Sequence, residues 1–502
     1  MRLLIRDGTL LTLDAQDRLI PRGYVLLDGE RIAHVGEGEP PAEVQADRLL
    51  DARNRLVLPG LVNCHLHSHE NFNRGRVDNL PHNVWMIYAR PPFQAATRTP
   101  EDVYLRTMLG CLEMVRSGVT LAVDDVVHVP ATDLGAVEVV MRAYEDAGLR
   151  AVVTATTVDQ PYHRTLPWAR EVFPAELQRE FMERPRPSIG ELVSFARRCL
   201  ERWSGPGRVR LALSPSAPQR CSRELLEALR DLQRDSGAPL VIHVLETRLQ
   251  VVTDHLFYGK SAVAYLDQLG LLCQNTALVH AVWVDAEDIS RIAAGGSTVW
   301  HNPSSNLKLG SGIAPVRAML QARVPVGLGT DGMGSNDCQN LFEEMRLAAL
   351  TSKITSPRYE EWLTASEVLR MATRGGLAAL GLDRDLGTIE PGRLADLVLL
   401  DLTAVPFAPR HDLVRQVVYA ERGASVRTVV VGGRIVMEEG TIRTVDEPKL
   451  LTAIREAAER ARVAGEAGWR RSKELEPHFA EIYRRATREP VSVPPRVLWG
   501  EP

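Results

Sequence analysis

The stretch PGLVNCHLHSHENFNRG, residues 59–75, places His65 and His67 two positions apart at the end of an apolar run. In an extended strand, residues two apart face the same side, roughly 7 Å apart along the chain, so the two imidazoles point one way. Such a pair can share a metal ion, or it can be a pair of core histidines satisfied by backbone carbonyls. The rest of the chain weighs towards the first reading. Later apolar runs contain VIHVLETR, LVHAVWV, WHNPSSN and GLGTDG, which put His243, His280, His301 and Asp331 at strand ends as well. Imidazoles and a carboxylate collected from separate strand ends make the donor set of a divalent-metal site.

Those residues need a scaffold that brings strand ends together. Eight apolar runs can be counted at 61–67, 118–125, 149–156, 208–214, 239–243, 276–282, 297–301 and 325–331. Helical stretches such as PEDVYLRTMLGCLEMVRSG and SRELLEALRDLQRDSG, with apolar residues three and four apart, separate them. The alternation predicts an α/β fold, a (β/α)8 TIM-like barrel over residues 59–385, whose chemistry lies at the C-terminal ends of its strands. An open doubly wound sheet would show fewer strands and a Gly-rich first turn, which is absent. Residues 1–58 and 386–445 alternate short apolar runs with turn signals and predict one small composite β-sandwich domain built from both chain ends. Residues 446–502 predict a helical C-terminal extension, polar on one face, suited to packing or to contact between subunits.

At 502 residues, with 45% hydrophobic and 25% charged residues, the composition is that of a globular protein with more than one core. A net charge of −4 gives no general pull towards nucleic acid or anionic membrane. No run approaches membrane-spanning length, and aspartates interrupt the N-terminal MRLLIRDGTLLTLD, so a cytoplasmic location is expected. The six cysteines form no CxxC pair, which argues against a zinc knuckle or a disulfide framework.

The motifs PGLVNCHLH, HVLETR, LVHAVWV, HNPSSNLKLGSG, GTDGMGSND and GTIEPGRLADLVLLD, in this order, resemble the amidohydrolase superfamily. Within it they resemble the branch of cytosine deaminase, guanine-type deaminases, S-adenosylhomocysteine and methylthioadenosine deaminases and triazine hydrolases. The resemblance implies a hydrolase holding one divalent metal ion per subunit through His65, His67, His243 and Asp331, with Zn²⁺ first and Fe²⁺ or Mn²⁺ also acceptable. It implies that a metal-activated water attacks a ring carbon of an amino-substituted N-heterocycle and that ammonia leaves. Glu246 would be the general acid and base, His280 would orient the nucleophile, and Asp331 would accept a proton. Removal of an alkylamine or chloride, or opening of a cyclic amide, is the alternative chemistry of the same branch; a non-catalytic scaffold is disfavoured by retention of the whole set. The partner is a small heterocycle, and family habit adds a homo-oligomer, dimer or tetramer.

Dinuclear members of the superfamily commonly bridge two metals with a carboxylated lysine from a middle strand. The first lysine here is Lys260, so none of the first five strands can supply one, and a single ion is expected. Candidate substrate contacts are His69, Trp85, Ser216, Gln219, His301 and Asn336, with Trp85 as a wall on a long loop after the first strand. His82 and His128 carry less weight, and Asn306, Lys308, Ser335 and Asp337 are expected to support the loops. Nucleoside deaminases of this branch usually have a histidine in an APHAPY-like stretch, where this chain reads SPSAPQRCS with Ser216. That departure favours a smaller ring of the oxopurine, pterin, pyrimidine or triazine kind.

Overall fold

The computed structural model describes residues 1–91, 98–128, 131–205 and 207–493. Its centre is a sheet of eight parallel strands: Leu61–Leu66, Val119–Asp124, Arg150–Thr156, Val209–Ser214, Leu240–Val244, Thr276–His280, Thr298–His301 and Val326–Leu328. Each falls inside or within a residue of an apolar run counted in the sequence. All are buried on both faces, which is why their text is nearly continuously apolar rather than alternating. Val62, Val123, Val241, Val279 and Trp300 pack together on one side of the sheet, while Leu61, Leu240, Ile242, Leu278 and Leu328 pack against the surrounding helices.

The eighth strand returns to the first and nearly closes the barrel. Asn63 stitches this seam: its side chain donates to Thr330 Oγ1 at 2.8 Å and accepts from the Thr330 amide at 3.1 Å. The Asp331 amide donates to the His65 carbonyl at 2.9 Å. The approach is close enough that a Cβ on Gly329 would stand 2.8 Å from the His65 Cβ, so the seam requires glycine there.

A second sheet of nine strands combines both ends of the chain, with Arg55–Pro59 and Leu397–Asp401 pairing antiparallel at its middle. Arg55–Pro59 runs straight into the first barrel strand, so this sheet anchors the strand that carries His65 and His67. Arg150, which opens the third barrel strand, forms a buried ion pair with Asp396 at 2.9 Å, and Asp396 also accepts from the Gly432 amide at 2.8 Å. Removing one partner of such a buried pair costs about 3–5 kcal/mol.

The C-terminal helices Glu447–Ala464 and Glu466–Arg488 pack back onto the barrel. The second covers the short helix His82–Ala89 and the helix Arg248–Tyr258, both of which approach the C-terminal ends of the barrel strands. No described helix is long and apolar enough to cross a membrane.

Candidate metal centre and its pocket

The strand ends converge as the sequence expects. His67 Nε2 lies 3.4 Å from His243 Nε2 and 3.2 Å from Asp331 Oδ1, and His65 Nε2 lies 3.4 Å from the same carboxylate oxygen. The backbone pays for this with left-handed conformations at Ser216, Leu245, His280 and Asp331, at φ of 32°, 48°, 71° and 61°. Each non-glycine residue held there costs on the order of 1 kcal/mol, and such strain concentrates where side chains must be aimed.

Three of the rings are fixed through their far nitrogens. His67 Nδ1 bonds the Asp125 carbonyl at 2.5 Å, His243 Nδ1 bonds the Ser216 carbonyl at 2.8 Å, and His280 Nδ1 bonds Asn306 Oδ1 at 2.9 Å. With Nδ1 as the donor, Nε2 keeps its lone pair for the centre, the arrangement common to metal-ligating histidines. Asp331 is divided likewise: Oδ2 accepts from Ser305 Oγ at 2.5 Å and Ser335 Oγ at 2.9 Å, leaving Oδ1 to face the histidines.

A divalent ion fits these residues. Both ring nitrogens of His65 and Oδ1 of Asp331 are buried with no hydrogen-bond partner, a costly state that a cation among them relieves. His65, His67 and His243 offer one donor atom each within 4.8 Å of one another, as do His65, His280 and Asp331. Burial, then the neighbouring His65, brings His67 down to about 4, and burial holds His243 well below the usual imidazole range, so both rings are neutral and able to ligate. Burial works to raise the Asp331 pKa, but the adjacent His65 and the other neighbouring histidines hold it well below the usual carboxylate value.

Above the donors lies a pocket with about 550 Å³ of atom-free space, mouth included. Glu246 lines it, with Oε2 3.4 Å from His82 Nε2 and 3.9 Å from His280 Nε2. Its own amide donates to Gln250 Oε1 at 2.6 Å, which pins the turn between strand and helix. Trp85 lines the pocket too, its indole N–H donating to the Gly334 carbonyl at 3.0 Å, and Ser216 and Gln219 border it.

Three expected contacts are corrected. His69 lies behind His67, its Nδ1 accepting from the Val127 amide at 3.3 Å, and does not line the pocket. His301 adjoins Trp300, which packs with the inner cluster, so strand alternation turns His301 outwards to a separate cavity beside Ile313 and Arg317. Asn336 donates to the Thr330 carbonyl at 2.7 Å and to Glu344 at 2.8 Å, and supports the loop after Asp331.

Sequence reading passed over Asp125, Glu70, Arg90 and Arg220, all lining the pocket. Asp125 ends the counted run GVTLAVDD, and its position at a strand end was a usable signal. Its Oδ1 accepts from the hydroxyls of Thr154 at 2.8 Å and Thr156 at 2.7 Å, and Oδ2 lies 3.6 Å from His243 Nδ1. The roof segment expected as a loop is in part the helix His82–Ala89, which brings His82 to Glu246.

With the barrel, the donors and the pocket in view, comparison places the chain. It belongs to the amidohydrolase family, whose model matches residues 56–436. A 5-methylthioadenosine/S-adenosylhomocysteine deaminase of Pelotomaculum thermopropionicum is 35% identical over 462 residues, 91% of this chain and 98% of the relative. Among solved structures, a triazine hydrolase from Arthobacter aurescens superposes with a TM-score of 0.82 at 28% identity, over 91% of this chain and 99% of that one. An adenosine deaminase from Xanthomonas campestris with bound zinc gives 0.79 at 30% identity, over 92% and 98%.

Proposed function

We propose that the protein is a hydrolytic deaminase of an amino-substituted N-heterocycle, of the purine, pterin, pyrimidine or triazine type. It holds one divalent ion, Zn²⁺ before Fe²⁺ or Mn²⁺, through His65, His67, His243 and Asp331. The observation that carries the reading is Glu246, a buried carboxylate facing the pocket between His82 and His280, above the converged donors.

When bound, the ion supplies Lewis acidity that brings the pKa of a coordinated water to about 7. The chain's residues do the remainder. Glu246 takes a proton from the attacking water and passes it to a ring nitrogen, so that the ring carbon becomes tetrahedral without building up charge. His280, held through Nδ1 by Asn306, presents Nε2 to the oxygen that adds. Asp331 takes the second proton from the added hydroxyl and delivers it to the exocyclic amine, which leaves as ammonia while the carbon–oxygen bond becomes a carbonyl. Trp85 forms a flat wall against which a ring can rest. The names of the relatives support an aminopurine among the possible rings, while Ser216 in place of the usual histidine means that a nucleoside is gripped differently here.

The Glu246→Gln substitution tests this reading. Ammonia release across aminopurines, pterins, pyrimidines, triazines and adenosine derivatives is expected to fall about 10²- to 10⁴-fold, with metal content unchanged. Loss of the metal instead would show that Glu246 is a ligand. The likeness to a triazine hydrolase favours one second reading, release of an alkylamine or chloride from a related ring; product analysis separates the two.

A further inference from the structure

Two arginines face the pocket and have no part in the chemistry above. Arg220 follows the fourth barrel strand in SAPQRCS, and Arg90 ends the helix His82–Ala89; both line the cavity. Arg220 Nη1 donates weakly to Ser216 Oγ at 3.4 Å, and its guanidinium stands 5.5 Å from the centre of the Tyr162 ring. No ion pair holds it among the described residues; Glu246 acts on it only from a distance. Arg90 Nη2 lies 3.6 Å from Glu70 Oε1, too far for a hydrogen bond, and its Nε is buried with no acceptor.

The two positive charges line the same pocket. Burial lowers the Arg220 pKa, and the charge of Arg90 lowers it further, as converging like charges must. Partly buried guanidinium groups on one pocket, Arg220 without a carboxylate partner among the described residues and Arg90 with only Glu70 at 3.6 Å, offer N–H forks that an oxyanion can meet. Ser216 ties Arg220 to the strand end that positions His243, since the Ser216 carbonyl holds His243 Nδ1. An anion seated there lies beside the reacting ring and not at the end of a long tail.

We infer that Arg90 and Arg220 form a subsite for an oxyanion, a carboxylate or phosphate, carried by the heterocycle on or close to its ring. This rests on the deaminase reading and adds the charge of the substrate to it.

Ammonia release from matched compounds tests it: pterin against pterin-6-carboxylate, and adenosine against its 5′-carboxylate and 5′-monophosphate. In at least one pair the anionic member is expected to show a kcat/KM about tenfold or more above the neutral one. R220Q and R90Q, folded by thermal melting, are each expected to cut that ratio about tenfold, and R220K to restore part of it. Whether the 5′-carboxylate or the 5′-monophosphate is favoured says which oxyanion is read. Preference for the neutral member in every pair, or variants that leave the ratio unchanged, would overturn the subsite. If no compound releases ammonia, the deaminase reading fails by itself; calorimetric binding of pterin-6-carboxylate against pterin, to wild type and R220Q, then decides the subsite.

Discussion

At the residue scale, the site works by dividing each side chain between support and chemistry. Asn306 and backbone carbonyls occupy the Nδ1 atoms, serine hydroxyls occupy one oxygen of Asp331, and the remaining atoms are left for the centre. His82 extends the pattern to the proton carrier. It stands 3.4 Å from Glu246, and burial lowers its pKa, so a neutral ring can donate to the carboxylate. Replacing it in H82N withdraws the imidazole that stands beside the carboxylate, and kcat is expected to fall about 10-fold, roughly 1.4 kcal/mol in the barrier. An unchanged kcat would mean that His82 merely fills space. The sequence marked His82 only faintly, because nothing in its neighbourhood of proline, asparagine and valine says that the segment folds over Glu246.

At the element scale, the strands were legible because burial on both faces leaves an unbroken apolar run, and the histidines stood out as polar ends on those runs. What the runs could not convey was side. His301 was misjudged because a strand end alone does not say whether a residue faces in or out, and Trp300 takes the inner position. The loops depend on partners distant in sequence. Glu344, wholly buried, joins the helix Pro303–Lys308 to the loop after Asp331 by accepting from Ser304 Oγ at 2.5 Å and Asn336 Nδ2 at 2.8 Å. Burial raises its pKa to about 8. A carboxyl whose folded pKa exceeds its unfolded value contributes stability that is full below the unfolded pKa, about 4.5, and is lost as pH rises through the folded one. The melting temperature of wild type is therefore expected to fall relative to that of E344Q between about pH 5 and about pH 8. Parallel curves would contradict a protonated Glu344.

At the scale of the whole molecule, three remote parts of the chain hold one pocket. The two-ended sheet anchors the first barrel strand, the barrel presents the donors, and the helix Glu466–Arg488 braces the roof. That brace is specific: Asn83 Nδ2 donates to the Phe479 carbonyl at 2.8 Å, Ser472 Oγ to the Ile87 carbonyl at 2.5 Å, and Arg248 to the Ala486 carbonyl at 3.1 Å. Helical periodicity announced the tail, but not that it grips the segments on either side of the pocket mouth, since the contacts join residues 238 to 396 apart. Ending the chain after Gly465 exposes the buried Phe479 contact surface. KM is expected to rise about tenfold or more while the metal stays bound, because no proposed ligand touches the tail; simultaneous loss of metal would show that the brace reaches the centre. The account as a whole depends on a single cation gathered by four side chains from the first, fifth and eighth strands. Elemental analysis of the purified protein by plasma mass spectrometry tests this most directly. About one divalent transition-metal ion per chain is expected, falling to near zero in H67A and D331A with the fold intact; two ions per chain, or one that survives both substitutions, would contradict it.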